Sequence, residues 1–170
     1  MAKTIQAKTL AQVSYTFTET TTNRSITDSD SYQNASNYTF SSSGGDFTVN
    51  NVARATGQLP SGGVVNIDTT AFAVEALGNS YNINFTGVKS IVIQNNSTVQ
   101  GFDFNVAATG SNALTELFNG GSGNIIVKPY SSYITNDPYI GLISDSSNKF
   151  ISIMDGGSGC LYNVSIAGLT

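Results

Sequence analysis

Three observations predict that this 170-residue chain is all-β, a jelly-roll-like antiparallel β-sandwich with an extended N-terminal segment. Turn formers abound (Ser 22, Thr 19, Asn 18, Gly 17) and only 11% of residues are charged, which leaves little material for long amphipathic helices. The aliphatic residues are largely Val and Ile in short runs that alternate with polar residues, as in half-buried strands. Strand centres recur about every ten residues with Gly-rich or Asn/Asp-rich turns between them, the spacing of a sandwich or jelly roll.

Residues 1–37 read as an N-terminal arm, a strand and a polar loop, and residues 38–170 as the sandwich domain. From Met1 to Gln12 the only large aliphatics are Ile5 and Leu10, which suits either an arm that orders against a neighbour or a frayed terminus. Val13-Ser14-Tyr15-Thr16-Phe17-Thr18 alternates strictly and predicts a strand. Glu19 to Asn37 is Thr, Ser, Asn and Asp around Ile26 and Tyr32, and fits a long loop or a weakly packed hairpin. Tyr38-Thr39-Phe40 resumes the alternation, Ser43-Gly44-Gly45-Asp46 turns, and Phe47-Thr48-Val49 reads as the return strand. Leu59 to Gly63 makes a further turn before Val64-Val65-Asn66-Ile67. Thr70 to Leu77 has helix-favouring composition over only about two turns, so helix and strand both stand there. Tyr81, Ile83 and Phe85 alternate cleanly.

Gly87-Val88-Lys89-Ser90-Ile91-Val92-Ile93-Gln94-Asn95-Asn96 is the centre of the chain. Strict alternation places Val88, Ser90, Val92 and Gln94 on one face and Lys89, Ile91, Ile93 and Asn95 on the other. Aliphatic residues at the middle of both faces predict an inner strand covered on both sides. Strands at Phe102–Val106, Asn124–Lys128, Tyr139–Ile143, Lys149–Met154 and Leu161–Ala167 complete the set, with a short connection at Leu114–Phe118. Two Gly-Gly-Ser-Gly runs, after Asn119 and after Asp155, read as hairpin chemistry; neither has the lysine of a phosphate loop.

Composition excludes several functions. Net charge is −4 with seven Lys and Arg, so no basic stripe for nucleic acid exists. No apolar run approaches the ~20 residues of a membrane span, and the first residues do not read as a secretory signal. Histidine is absent, which removes Ser-His-Asp and Cys-His nucleophiles and the usual zinc sites. Cys160 stands alone and is expected to be a packed, inert thiol. Asp103, Glu116, Asp137 and Asp145 offer carboxylates for glycoside cleavage, but no spacing selects a pair. Asp28-Ser29-Asp30 suits oxygen ligation of calcium yet lacks the Gly and distal Glu of a calcium loop. The expectation is a protein that is not an enzyme and needs no cofactor and no metal.

Val88 to Asn95 ending in Asn-Asn-Ser, Phe102 to Ala107 before a glycine-bearing loop, Ile125-Ile126-Val127-Lys128-Pro129, and Val164-Ser165-Ile166-Ala167-Gly168 follow one another along the second half of the chain. This succession, over roughly residues 59–168, resembles small β-sandwich virion proteins of tailed bacteriophages, especially capsid decoration or cement proteins. The resemblance implies a location on the virion, a homo-oligomer (a trimer), and partners that are copies of itself and a major capsid or other virion protein. Lys3, Ile5, Lys8, Leu10, Tyr15 and Phe17 are the expected assembly contacts. The alternative is a tail, fibre or lectin-like recognition module binding surface glycans through Tyr130, Tyr133 and Tyr139. A self-assembling coat protein is disfavoured, since a surface facing genome wants more basic charge.

Overall fold

The computed structural model describes residues 6–21, 24–41, 43–76, 79–118 and 123–170. In chain order the strands are β1 (Gln6–Thr21), β2 (Arg24–Phe40), β3 (Thr48–Val49), β4 (Asn51–Leu59), β5 (Val64–Asp68), β6 (Phe72–Ala76), β7 (Asn79–Ile83), β8 (Gly87–Asn95), β9 (Phe104–Ala107), β10 (Asn124–Val127), β11 (Ser132–Asn136), β12 (Leu142–Ile143), β13 (Phe150–Asp155) and β14 (Cys160–Leu169). A single turn of 3-10 helix, Thr115–Phe118, bridges β9 and β10.

Two antiparallel sheets form the sandwich, one ordered β11-β8-β14-β4 with β12 also against β8, the other β10-β9-β13-β5. Ile91 and Ile93 of β8 and Val164 and Ile166 of β14 meet Phe104 and Val106 of β9 and Ile151 and Ile153 of β13 in one core. The fold is therefore the all-β sandwich that the alternation implies, with β8 an inner strand between β11 and β14.

The two faces of β8 depart from strict alternation. Ala167 lies opposite Ser90, whereas Gly168 lies opposite Val88, so Lys89 is skipped in the pairing. One extra residue on a strand reverses the parity beyond it. Val88 accordingly joins Ile91 and Ile93 in the core cluster rather than the Ser90 face. Lys89 is buried, and its Nζ donates to the Tyr139 carbonyl.

Other segments differ from their sequence reading. Residues 70–77 contain β6, paired with β7, and Phe72 packs edge-on against Phe85 with ring centroids 6.2 Å apart. The return strand read at 47–49 runs parallel to β2, Thr39 opposite Thr48 and Phe40 opposite Val49, because Gly44 and Gly45, both at positive φ, carry the chain around. Tyr139–Ile143 shrinks to the two residues of β12, and the neighbouring strand is β11.

The N-terminal region is a β-hairpin. β1 and β2 pair antiparallel through sixteen registered positions, from Gln6 opposite Thr39 to Thr21 opposite Arg24. Most of the arm at 1–12 and the polar loop at 19–37 are thus strand, Met1 to Ile5 lying outside the described residues. Of the two readings for 19–37, the hairpin is the one formed, with Thr27 to Tyr32 paired against the strictly alternating segment Val13 to Thr18. Its base is fixed where Tyr38 packs with Val49 and Ala167, its Oη donating to the Lys89 carbonyl at 3.1 Å.

Candidate functional site

Besides β12 to β13, four connections cross directly from one sheet to the other: β4 to β5, β8 to β9, β10 to β11 and β13 to β14. The register puts all four at the same end, since Leu59 lies opposite Cys160, Tyr162 opposite Asn95, and Phe104 opposite both Val127 and Asp155. Side chains that the turns themselves supply lash this pole together. Asn95 is buried and donates from Nδ2 to the carbonyls of Phe102 (2.8 Å) and Val127 (2.9 Å) while Oδ1 accepts from Ser97 N–H (3.0 Å). Asp155 Oδ2 accepts from the N–H groups of Gly62 (2.8 Å), Gly157 (2.8 Å) and Gly159 (3.0 Å), and Oδ1 takes the Cys160 thiol at 3.0 Å. Gly157 and Gly159 adopt positive φ, which lets two N–H groups of one short turn converge on a single oxygen.

Burial raises the Asp155 carboxyl, but the thiol and the three glycine N–H groups outweigh it and hold the pKa down at about 2. The same contact acts oppositely on Cys160. Burial, the hydrogen bond to Asp155 and the carboxylate's charge push the thiol up to about 12. A thiol so held is protonated at neutral pH and is no nucleophile.

Beside this network lies an open cleft of about 540 Å³ lined by Thr98, Gln100, Gly101, Asp103, Lys128, Pro129 and Tyr130. Lys128 and Asp103 form an ion pair. Lys128-Pro129-Tyr130-Ser131 is a tight turn closed by Ser131 N–H to the Lys128 carbonyl at 3.1 Å. Tyr130 occupies its third position at φ +60 and is 76% exposed. A turn with Pro second and positive φ third ordinarily carries Gly or Asn there.

The predicted glycan tyrosines are not brought together. Tyr133 sits on β11 opposite Ile93, half-buried and stacked on Phe118 at 6.4 Å, and burial raises its hydroxyl. Tyr130 N–H donates to the Asn95 carbonyl, whereas the Tyr139 carbonyl accepts from Lys89, six residues back along β8. At ~3.3 Å per residue the two lie about 20 Å apart along the strand, at opposite poles. Of the three, Tyr130 alone lines the cleft; alternation within 130–139 does not reveal β11, on which Tyr133 stacks against Phe118.

Among the expected assembly residues, Lys3 and Ile5 lie outside the described residues. Lys8 and Leu10 are exposed on β1, and Tyr15 and Phe17 pair through their backbones with Asp30 and Asp28. Asp28-Ser29-Asp30 is therefore extended strand and not a loop that wraps a cation. Asp103 pairs with Lys128, Glu116 accepts from Ile143 N–H, Asp137 from Tyr139 N–H, and Asp145 from Ser147 and Asn148 N–H, so the four carboxylates are engaged in separate local contacts. Among the described residues no group of three or more His, Cys, Asp or Glu is placed to hold a metal, and no helix is long and apolar enough to cross a membrane.

No family model matches the chain, and no curated protein matches it. The crystal structure of the Yersinia pseudotuberculosis-derived mitogen aligns with 69% of this chain and 86% of its own at 16% identity, with a TM-score of 0.36. Likeness at that level says nothing about what this chain does.

Proposed function

We propose that this is a non-enzymatic structural protein that assembles through its N-terminal hairpin, as a decoration or cement subunit of a phage virion of the kind its strand succession resembles. The carrying observation is the hairpin itself. Sixteen pairs at ~3.3 Å per residue make a ribbon about 50 Å long. Its only described strand partner is β3, which takes Thr39 and Phe40 alone. A two-stranded ribbon in water is marginally stable at best. Beyond that contact neither long edge of the ribbon has a described strand partner, and edges without a strand partner template strand addition.

The occupant that fits is the hairpin of a second copy, since identical ribbons match in length and register, and a closed ring of such copies satisfies every edge. Apolar surface at the ribbon's base supports the same reading: Phe47 (40% exposed) rests edge-on against Tyr139 (59%), beside Ile140 (77%). Exposed apolar residues grouped in this way mark contact surfaces.

The test removes residues 1–37 and keeps Tyr38, whose ring seals the sandwich. The shortened protein is expected to unfold at nearly the same temperature but to run as a monomer in sedimentation and to lose occupancy on particles. In the full chain, Leu10→Lys should weaken assembly in the same direction. Undiminished mass and occupancy in both would sink the proposal.

A further inference from the structure

We infer that the cleft at the crossover pole binds a neutral sugar ring, stacked on Tyr130 and hydrogen-bonded by Thr98, Gln100, Asp103 and Lys128. This goes beyond assembly through the hairpin, and neither reading depends on the other.

The first ground is the backbone of Tyr130. Its φ of +60 is a conformation that side chains with a Cβ resist and that glycine adopts freely. Nothing in the core compensates, because the ring is 76% exposed. A strained aromatic residue held out into solvent at the rim of a cleft is placed for contact with something else.

The second ground is the lining. The cleft's volume of about 540 Å³ lies in the range of small-ligand sites, roughly 300–1,000 Å³. Its one cation and one carboxylate neutralise each other across it, so neither an anion nor a cation gains from entering. What remains is a set of donors and acceptors lining one cleft: an ammonium, a carboxylate, an amide and a hydroxyl together with the Tyr130 side chain. Vicinal hydroxyls bind such donor–acceptor pairs in both directions at once, and the axial C–H face of a pyranose stacks on an aromatic ring. A wholly apolar ligand would leave the ion pair desolvated at a cost. The pairing of Lys128 with Asp103 also sets both groups in place before a ligand arrives.

The experiment uses the full chain and the methyl glycosides of glucose, galactose, mannose and N-acetylglucosamine at millimolar concentration, observed by saturation-transfer NMR. At least one should receive saturation, and inorganic phosphate should not displace it. Tyr130→Gly gives the turn the residue its geometry favours. It should melt no lower than the parent while binding falls at least tenfold; Tyr130→Phe, which keeps the stacking face, should retain binding. Gln100→Ala should weaken binding severalfold with an unchanged melt. Absence of transfer from all four sugars, displacement by phosphate, or full binding by Tyr130→Gly would each overturn the inference. So would a lower melting temperature for Tyr130→Gly, since the ring would then serve the fold.

Discussion

At the scale of single residues, Asp155 and Cys160 set how the sandwich responds to pH. The Asp155 pKa in the folded protein, about 2, lies below its ordinary 3.8. Its contribution to stability is therefore complete above about pH 4 and is lost as pH falls from 3.8 toward 2. Asp155→Asn should melt below the parent at neutral pH, and the gap should narrow as pH is lowered through that window; a gap independent of pH would refute the role. Cys160 runs the other way, its raised pKa favouring the fold below pH 9 and withdrawing that favour between 9 and about 12. Iodoacetamide at pH 8 should accordingly label Cys160 only after unfolding. The sequence marked Cys160 as a packed thiol, and it is 1% exposed. It did not reveal Asp155 as the thiol's acceptor, because the bond forms only when the Gly-rich turn folds back on itself. Tyr130 was legible as an exposed aromatic, but its strained φ is a property of the turn and is invisible in composition.

At the scale of elements, β8 was legible because four β-branched residues sit between turn signals. Ile93→Ala should cost about 2–5 kcal/mol by chemical denaturation, as a cavity in a fully buried site. A neutral result would mean that the core does not close on this strand. Beside the bulge, a Cβ on Gly168 would stand 2.4 Å from the backbone oxygen of Gly87. Gly168→Ala should therefore cost about 1–3 kcal/mol, by the same measurement, because a backbone atom cannot step aside as a side chain does. The strand β4 went unread for a related reason. Its inward residues include Ala53, Ala55 and Gly57, too small to register as a hydrophobic stripe. They are small because larger neighbours need the room: a Cβ on Gly57 would lie 2.4 Å from the Tyr162 hydroxyl. The bulge at Lys89 was equally hidden, since it depends on the register of a partner far later in the chain, where Gly168 faces Val88 and not Lys89.

At the scale of the molecule, the base of the hairpin and the cleft occupy opposite ends of the sandwich. Tyr38 reaches Lys89 at one pole, and Tyr130 meets Asn95 at the other. The all-β class and the sandwich were legible because period-2 alternation is local. The division into poles was not, because it follows from which strands cross between sheets.

One feature of that strand order bears on how the protein is made. In each sheet of the sandwich the strand synthesised last, β14 or β13, lies in the interior, flanked by strands made much earlier. While the ribosome is still translating, β4 and β8 have no common neighbour, and β5 and β9 have none either. A nascent chain halted before Cys160 should therefore stay open to protease, however far it has emerged, and only a chain carrying β14 should become resistant. Protease resistance in the arrested chain would show that the sandwich closes without its central strand. Contacts so distant in sequence also make for slow folding, on the order of milliseconds to seconds. Through that interval the edges that β13 and β14 will cover remain available to the wrong partner, so folding favours dilute chains.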